Sequence, residues 1–378
     1  MRIAIVSGAY PPDLDGIGDY TWNLARELAK AHQILVATSR GSAPGNSESV
    51  EVIQIFDPKH PLHYRNSVAA VRVWHPDWIV VQYNPFSYGR CGFCPWLPLT
   101  LHKNCKGKSP PHLAVMFHET YVPANHWKFM LMRFWQIPQF AAMCRLADAV
   151  FVSTIRWLPK IRRFRKNPDA AVLPVGSNIP RSVMARVQSR EILHLPPDAT
   201  ILGVFGSAHP SRLTDWIGAA AQKVHDSNPK AILLYVGKDG SELRTRNGSI
   251  PMVDLGVLPA HRVADAIRAM DVMLCPFSDG ISARRGSALA ALQNDIPIVS
   301  TIKAWSDEIF RENMEQSVYV SKVEDGREYY VQTLSNLIKS GRLERSIAST
   351  EAMKWYESHF GWCQLADRLV MRLKLQSC

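Results

Sequence analysis

Short apolar runs rich in Val and Ile recur along the chain with amphipathic stretches between them, and this alternation leaves few architectures open. RIAIVS, Arg2 to Ser7, leads through a Gly-Ala-Tyr-Pro-Pro turn to DYTWNLARELAKA, whose apolar residues fall at helical spacing, and then to QILVATS, Gln33 to Ser39. Strand, helix, strand is a βαβ unit, and such units build parallel sheets covered by helices. The series continues through VEVIQIF, DWIVVQY at Asp77 to Tyr83, HLAVMF at His112 to Phe117 and AVFVST at Ala149 to Thr154. It breaks at LPVGSNIP, Leu173 to Pro180, where two prolines, a glycine and an asparagine read as a linker. A second series then runs through ILGVFGS at Ile201 to Ser207, AILLYVG at Ala231 to Gly237, MVDLG at Met252 to Gly256, DVMLCPF at Asp271 to Phe277 and IPIVST at Ile296 to Thr301. The expected class is α/β, two tandem Rossmann-like domains facing each other across a cleft. Residues 1–175 form the first domain and 176–355 the second. Residues 356–378 form a closing helix, with Trp362, Leu365, Leu369 and Leu373 along one face, that either packs on the second domain or crosses back to the first.

A length of 378 residues suits about two cores, not one. No apolar run approaches the roughly 20 residues that span a bilayer, and MRIAIVSGAY reads as a first strand, so a cytoplasmic protein is expected. The net charge of +11 is uneven: residues 1–180 hold 20 Lys and Arg against 11 Asp and Glu, whereas 181–378 hold 24 against 22. Within the basic half, RWLPKIRRFRK from Arg156 to Lys166 interleaves six basic residues with Trp157, Leu158, Ile161 and Phe164. It reads either as a solvated helix face or as contact with an anionic membrane surface. Nucleic acid is not expected as a partner, because no nucleic-acid motif accompanies the segment. The seven cysteines are odd in number and scattered, which fits a reducing compartment. Cys91 and Cys94 make a CxxC followed by His102 and Cys105, a spacing open to zinc, but without a second CxxC no metal is expected.

Each strand stops at polar or glycine-containing residues, so candidate ligand loops gather at the C-terminal ends of the strands. PPDLDGIGDY, Pro11 to Tyr20, places Gly16 and Gly18 before a helix that Asp19 or Thr21 can cap, a turn able to hold a phosphate or a polar acceptor. It is not GxGxxG, and no dinucleotide cofactor is expected. FHETY puts His118 and Glu119 just beyond a strand, where an imidazole can donate to a hydroxyl or leaving-group oxygen and a carboxylate can orient it. GSAHPSR brings Ser207 and Arg212, VGKDG brings Lys238, and CPFSDGISARRGS brings Asp279, Gly280, Ile281, Ser282, Arg284, Arg285 and Ser287. Cations converging from three loops suit a diphosphate, which Arg binds bidentately, so the leaving group is expected to be stabilised without a metal.

These motifs, in this order and spacing, resemble the nucleotide-sugar-dependent glycosyltransferases of the GT-B fold, in particular the retaining group called family 4. The resemblance rests on PPDLDGIGDYTWNLARELAK, the HE pair, ADAVFVST, LPVGSNIP, the FGS loop, LLYVGKDG, LGVLP, MDVMLCPFSDG and PIVST, and covers nearly the whole chain. It implies that Gly16, Ile17 and Gly18 approach the donor phosphate and the acceptor, that His118 sits near the sugar, and that Val257 and Leu258 meet the nucleobase. The family writes GR followed by KG for its phosphate-binding pair. Here the loop reads Gly206, Ser207 and then Arg212, so only the second cation survives. The family also carries two glutamates eight apart. Aligning on PIVST puts Ala290 at the second, and Asp279 is the candidate stand-in for the first through a shifted loop. The implied activity is a hexosyltransferase-type glycosyltransferase that moves a sugar from an NDP-sugar to a hydroxyl of a glycan or lipid-linked glycan, with retention, at the inner face of a membrane. The alternative is a catalytically inactive nucleotide-sugar-binding or assembly protein of the same fold. A GT-B epimerase ranks lower, since it needs paired acid and base carboxylates.

Overall fold

The computed structural model describes residues 1–377 except 14, 40–48, 58–63, 106–109, 166–168, 208, 239, 245–247, 313–316, 342 and 344–349, and describes residues 64–67 and 312 by backbone alone. Lys166, the end of the basic segment, and Cys378 lie outside the described residues. The chain divides into two compact units, Met1–Val175 with Trp362–Cys378, and Gly176–Gly361.

In the first unit, β1 (Arg2–Val6), β2 (Gln33–Ser39), β3 (Glu51–Phe56), β4 (Trp78–Tyr83), β5 (His112–Phe117), β6 (Ala149–Val152) and β7 (Ala170–Val172) form one sheet in the order β3-β2-β1-β4-β5-β6-β7. All its pairings are parallel. In the second unit, β8 (Ile201–Phe205), β9 (Ile232–Val236), β10 (Met252–Asp254), β11 (Val272–Cys275), β12 (Ile298–Ile302) and β13 (Val318–Lys322) pair in the order β10-β9-β8-β11-β12-β13, again all parallel. In both sheets the strand order reverses beside the first strand, the arrangement that opens a crevice at the strands' C-terminal ends. The central strands are buried on both faces, as parallel strands sandwiched by helices must be. β7 and β13 have no counterpart among the runs picked out by periodicity. They are short edge strands: AAV has small side chains, and the apolar part of VYVSK is only three residues long.

The closing segment divides. The helix Glu351–Phe360 stays in the second unit, with Ala352, Tyr356 and Phe360 in its core, so that unit extends to Gly361. The helix Trp362–Ser377 belongs to the first unit, where Leu365, Leu369 and Leu373 pack with Ile3, Ile5, Tyr20 and Leu24. Among the described residues no helix is long and apolar enough to cross a membrane.

Candidate functional site

In the first unit, the turn after β1 brings the chain to the helix Gly16–Leu28. Its cap is Asp15, neither Asp19 nor Thr21: the Asp15 carboxylate accepts from the N–H of Ile17 at 2.9 Å and of Gly18 at 2.8 Å. Thr21 is buried instead, donating to the Ile17 carbonyl at 2.7 Å. Burial raises the Asp19 carboxyl pKa, with Asp15 adding to the shift. The backbone donors of Ile17 and Gly18, expected at a phosphate, are thus satisfied by a carboxylate that also places negative charge on the turn. This suits a hydroxyl-bearing ligand better than a phosphate. Gly16 leaves open space where a Cβ would stand.

His118 follows the last residue of β5, and its buried imidazole is held on two sides. Nε2 lies 2.7 Å from Gln82 Oε1, a contact in which the ring N–H donates, and the ring meets Tyr20 edge-on with centroids 4.9 Å apart. The His118 carbonyl accepts from the Trp157 indole N–H at 3.1 Å. Around this imidazole, Gln82 Nε2 and the Tyr20 hydroxyl are buried and lack hydrogen-bond partners among the described residues. Such orphans are costly, and a polar ligand group can complete them. Sequence reading missed Gln82 and Tyr20, since a Gln inside an apolar strand and a Tyr on an apolar helix face look like core. Glu119, half-buried, acts electrostatically on Lys160.

The basic segment is an amphipathic helix edge whose apolar residues face inward. Trp157 and Ile161 are buried in the core, and Arg165 is spent on the Cys144 and Ala147 carbonyls. Arg156, Arg162 and Arg163 are exposed. The exposed apolar surface lies instead on the helix Trp127–Leu146, where Trp127 is 66% exposed and Phe134 79%, with Met130 and Leu131 also outward. Cys91 is exposed, Cys94 is buried with its N–H on Gln139 Oε1 at 2.6 Å, and burial pushes the Cys105 thiol up to about 12. Among the described residues no three His, Cys, Asp or Glu side chains gather as metal ligands.

In the second unit, β8 ends at Phe205, and Gly206 follows with φ +106°, a conformation L-residues rarely adopt. A Cβ there would stand 3.1 Å from Arg212 Nη2. Tyr235 at the end of β9 donates its hydroxyl to the Gly206 carbonyl at 2.8 Å, and Gly237 N–H donates to the Gly256 carbonyl at 2.8 Å. Three loops are thereby tied together at the strand ends. Arg212 is only 9% exposed, donates from Nη2 to the Phe205 carbonyl at 2.8 Å, and lies 3.5 Å from Ser287 Oγ. Its Nε and Nη1 are buried without partners among the described residues. An isolated bridge pairs Arg212 with Phe277, whose ring centroid lies 5.5 Å from the Arg212 guanidinium and 4.2 Å from that of Arg285. The structure therefore brings Arg212, Arg285 and Ser287 together around Phe277, while Ser207, Lys238 and Arg284 are exposed.

Arg285 and Asp279 form an ion pair, and burial lowers the Arg285 pKa. Asp279 is therefore a neutralised loop partner and not a lone carboxylate. Gly280 and Ile281 anchor the loop: their N–H groups donate to the Phe277 carbonyl at 3.0 Å and the Thr301 carbonyl at 2.7 Å, which leaves neither for a ligand. Gly280 has φ +80°, and a Cβ there would stand 2.2 Å from Ser306 Oγ. The Ser282 carbonyl accepts from Arg285 N–H at 2.9 Å. Asp307, which sequence reading missed, holds the same loop by accepting the Ala283 N–H at 2.7 Å. Val257 is exposed at the end of the β10 loop, whereas Leu258 packs toward the core. Ala290 is fully buried in the helix Gly286–Gln293.

At the level of sequence, no family model and no curated protein matches the chain. Solved structures do. Sucrose-phosphate synthase from Thermosynechococcus elongatus aligns with a TM-score of 0.73 at 15% identity, covering 100% of this chain and 99% of that one. HepE from Anabaena, in complex with UDP, aligns at 0.69 and 14%, covering 100% of both. A putative UDP-N-acetylglucosamine 2-epimerase from Listeria monocytogenes aligns at 0.60 and 10%, covering 100% and 97%. At such identities the likeness establishes architecture, not reaction. Two parallel-sheet Rossmann-like units, matched over the whole chain by these structures, give this protein the GT-B fold.

Proposed function

We propose that the protein transfers a sugar from a nucleoside diphosphate sugar to a hydroxyl group of a glycan or lipid-linked acceptor, with retention and without a metal. The observation that carries this reading is Arg212, a buried guanidinium with two unpartnered N–H groups among the described residues, set between two glycine loops at the ends of parallel strands. A buried cation with unused donors is poorly placed on its own and well placed opposite an anion. As the bond between sugar and diphosphate breaks, negative charge grows on the leaving group. Arg212, the Ser287 hydroxyl and the amino end of the helix Gly286–Gln293 meet that charge with little reorganisation. His118, in this reading, orients a sugar hydroxyl. The exposed Val257 loop takes the base, and UDP is the first nucleotide to try because HepE was crystallised with it.

The membrane partner is assigned to the helix Trp127–Leu146 in place of the Arg156–Lys166 segment. Its outward Trp127, Met130, Leu131 and Phe134 accompany Lys128, and no Asp or Glu occurs between Glu119 and Asp148. A second reading, a silent nucleotide-sugar-binding protein, is favoured by the Asp279 ion pair and by Ala290 where the resemblance calls for glutamate. A panel of UDP-, GDP- and ADP-sugars scored by thermal shift and by nucleoside diphosphate release separates the two. Release dependent on an acceptor supports transfer, binding without release supports the silent reading, and no nucleotide binding refutes both.

A further inference from the structure

Beyond His118 the first unit gathers three cations from three elements around two aromatic rings. Lys160, from the helix Leu158–Phe164, donates to Thr120 Oγ1 at 2.8 Å and lies 4.2 Å from the Tyr121 ring centroid and 4.6 Å from that of Trp157. Arg133, from the helix Trp127–Leu146, stands 5.0 Å from the same Tyr121 ring and donates to the Val122 carbonyl at 3.0 Å. Arg156 stands 5.6 Å from the Trp157 ring. Trp157 is itself fixed, being buried and bonded to the His118 carbonyl at 3.1 Å. The cations are thus held near one another on a rigid floor whose rings touch the His118 loop.

The electrostatics of this arrangement are unbalanced. Glu119 is the carboxylate that acts on Lys160, while Arg156 and Arg133 both oppose its charge, and burial opposes it most. These effects push the Lys160 ammonium down to about 8. Three cations against one carboxylate leave an excess of two positive charges, the complement of a doubly ionised phosphate. Aromatic faces add cation–π attraction that holds the cations in place, and charged N–H donors so held make strong hydrogen bonds to phosphate oxygens.

We propose that Lys160, Arg133 and Arg156, the lysine held in place by the buried Thr120 hydroxyl, form a subsite for a phosphate monoester carried by the acceptor. This rests on the transferase reading for the word acceptor, but the anion site itself does not. A phosphate held here sets its neighbouring hydroxyls beside the His118 loop, where the Ile17 and Gly18 turn, already carboxylate-capped, receives hydroxyls and repels anions. The two N-terminal features then divide the work: the turn takes the sugar-like part and the cation cluster takes the phosphate. The monoester comes either from a soluble polyol phosphate or from a lipid headgroup such as phosphatidic acid.

The test uses the full chain without donor. Glycerol 3-phosphate binding is followed by calorimetry at pH 6.5 and low salt, and vesicles containing phosphatidic acid are compared with vesicles of phosphatidylglycerol, a phosphodiester, at equal charge density. Saturable glycerol 3-phosphate binding is expected, weakened about tenfold or more by Lys160→Met and by Arg133→Gln, and less by exposed Arg156→Gln. Lys160→Arg should restore most of the affinity, which a purely structural lysine does not require. Preference for phosphatidic acid vesicles that is lost in the same variants assigns a lipid source, and binding of the soluble ester assigns a soluble one. No saturable binding in either arm, or unchanged affinity in Lys160→Met with intact thermal unfolding, overturns the proposal. Because the readout needs no transfer, an absence of nucleotide-sugar binding would defeat the transferase reading while leaving a bound phosphate in place. Transfer to an uncharged acceptor by a protein that binds no phosphate would do the reverse.

Discussion

Replacing Arg212 by methionine separates the stability of the second unit from its capacity to hold an anion. In the wild type the guanidinium makes one good bond, to the Phe205 carbonyl at 2.8 Å, and leaves Nε and Nη1 buried and unpartnered among the described residues. A hydrogen bond from a charged donor contributes about 1.5–3 kcal/mol, and each buried unsatisfied donor costs about 1–3 kcal/mol. Methionine fills most of the same volume, forfeits the bond and removes both orphans, so with each orphan costing about 2 kcal/mol the net change is about 1–2.5 kcal/mol of stabilisation. For a unit of this size, roughly 2–4 °C of melting temperature accompanies each kcal/mol, so the ligand-free variant should melt a few degrees above wild type. Nucleoside diphosphate affinity should fall about tenfold to a hundredfold, because the lost contacts to phosphate are charge-assisted. Thermal unfolding with and without UDP, together with calorimetric titration of UDP, reads both quantities. A variant that melts well below wild type yet keeps wild-type affinity would refute the reasoning, and Arg212 would be a structural cation.

Three further outcomes follow from the same unit. Asp271 binds Arg186 at 3.0 Å and buried Arg190 at 2.8 Å and also accepts the Ile201 N–H at 2.7 Å, so Asp271→Ala strands two guanidinia and should cost about 3–5 kcal/mol, seen as a lower midpoint in denaturant unfolding. Gly206→Ala forces an L-residue to φ +106° and a Cβ to 3.1 Å from Arg212 Nη2, which should cost about 1–3 kcal/mol and weaken nucleotide binding, measured by the same titration. Burial raises the Asp307 carboxyl pKa, so its contribution to stability is fullest below the ordinary carboxylate range and is lost as pH rises through the raised value. Asp307→Asn keeps an acceptor for the Ala283 N–H, so it should be at least as stable as wild type at neutral pH and show a flatter profile above pH ~4. Wild type gaining on the variant as pH rises would contradict this.

The parts of the site that were legible in the sequence are those where backbone conformation restricts the residue. Gly206 and Gly280 stand in loops that chain order places at strand ends and there take positive φ, which Gly16 and Gly18 do not, and Arg212 announced charge at a strand end. Less legible were the residues that decide what each charge does. Asp279 and Arg285 carry opposite charge six positions apart in a loop, and only the folded loop shows that they spend those charges on each other. Asp15 was one of several carboxylates near a helix start, and the cap it forms depends on the backbone angles of the turn. The basic run at Arg156 gave its composition but not its facing, which the core settled by burying Trp157 and Ile161.

The sequence by itself determined the architecture, because alternation of β-branched runs and amphipathic stretches is a local property that parallel sheets read directly. It also determined which loops lie at the strand ends, since chain order fixes those. Tertiary structure alone decided which side chains share a site. Lys160 meets Thr120 across 40 positions and Arg212 meets Ser287 across 75, pairings set by how helices pack on a sheet and not by any spacing along the chain. The same packing decided cost. An arginine is an ordinary surface residue until the fold buries it with donors unused, and that burial makes Arg212 the center of the proposed site.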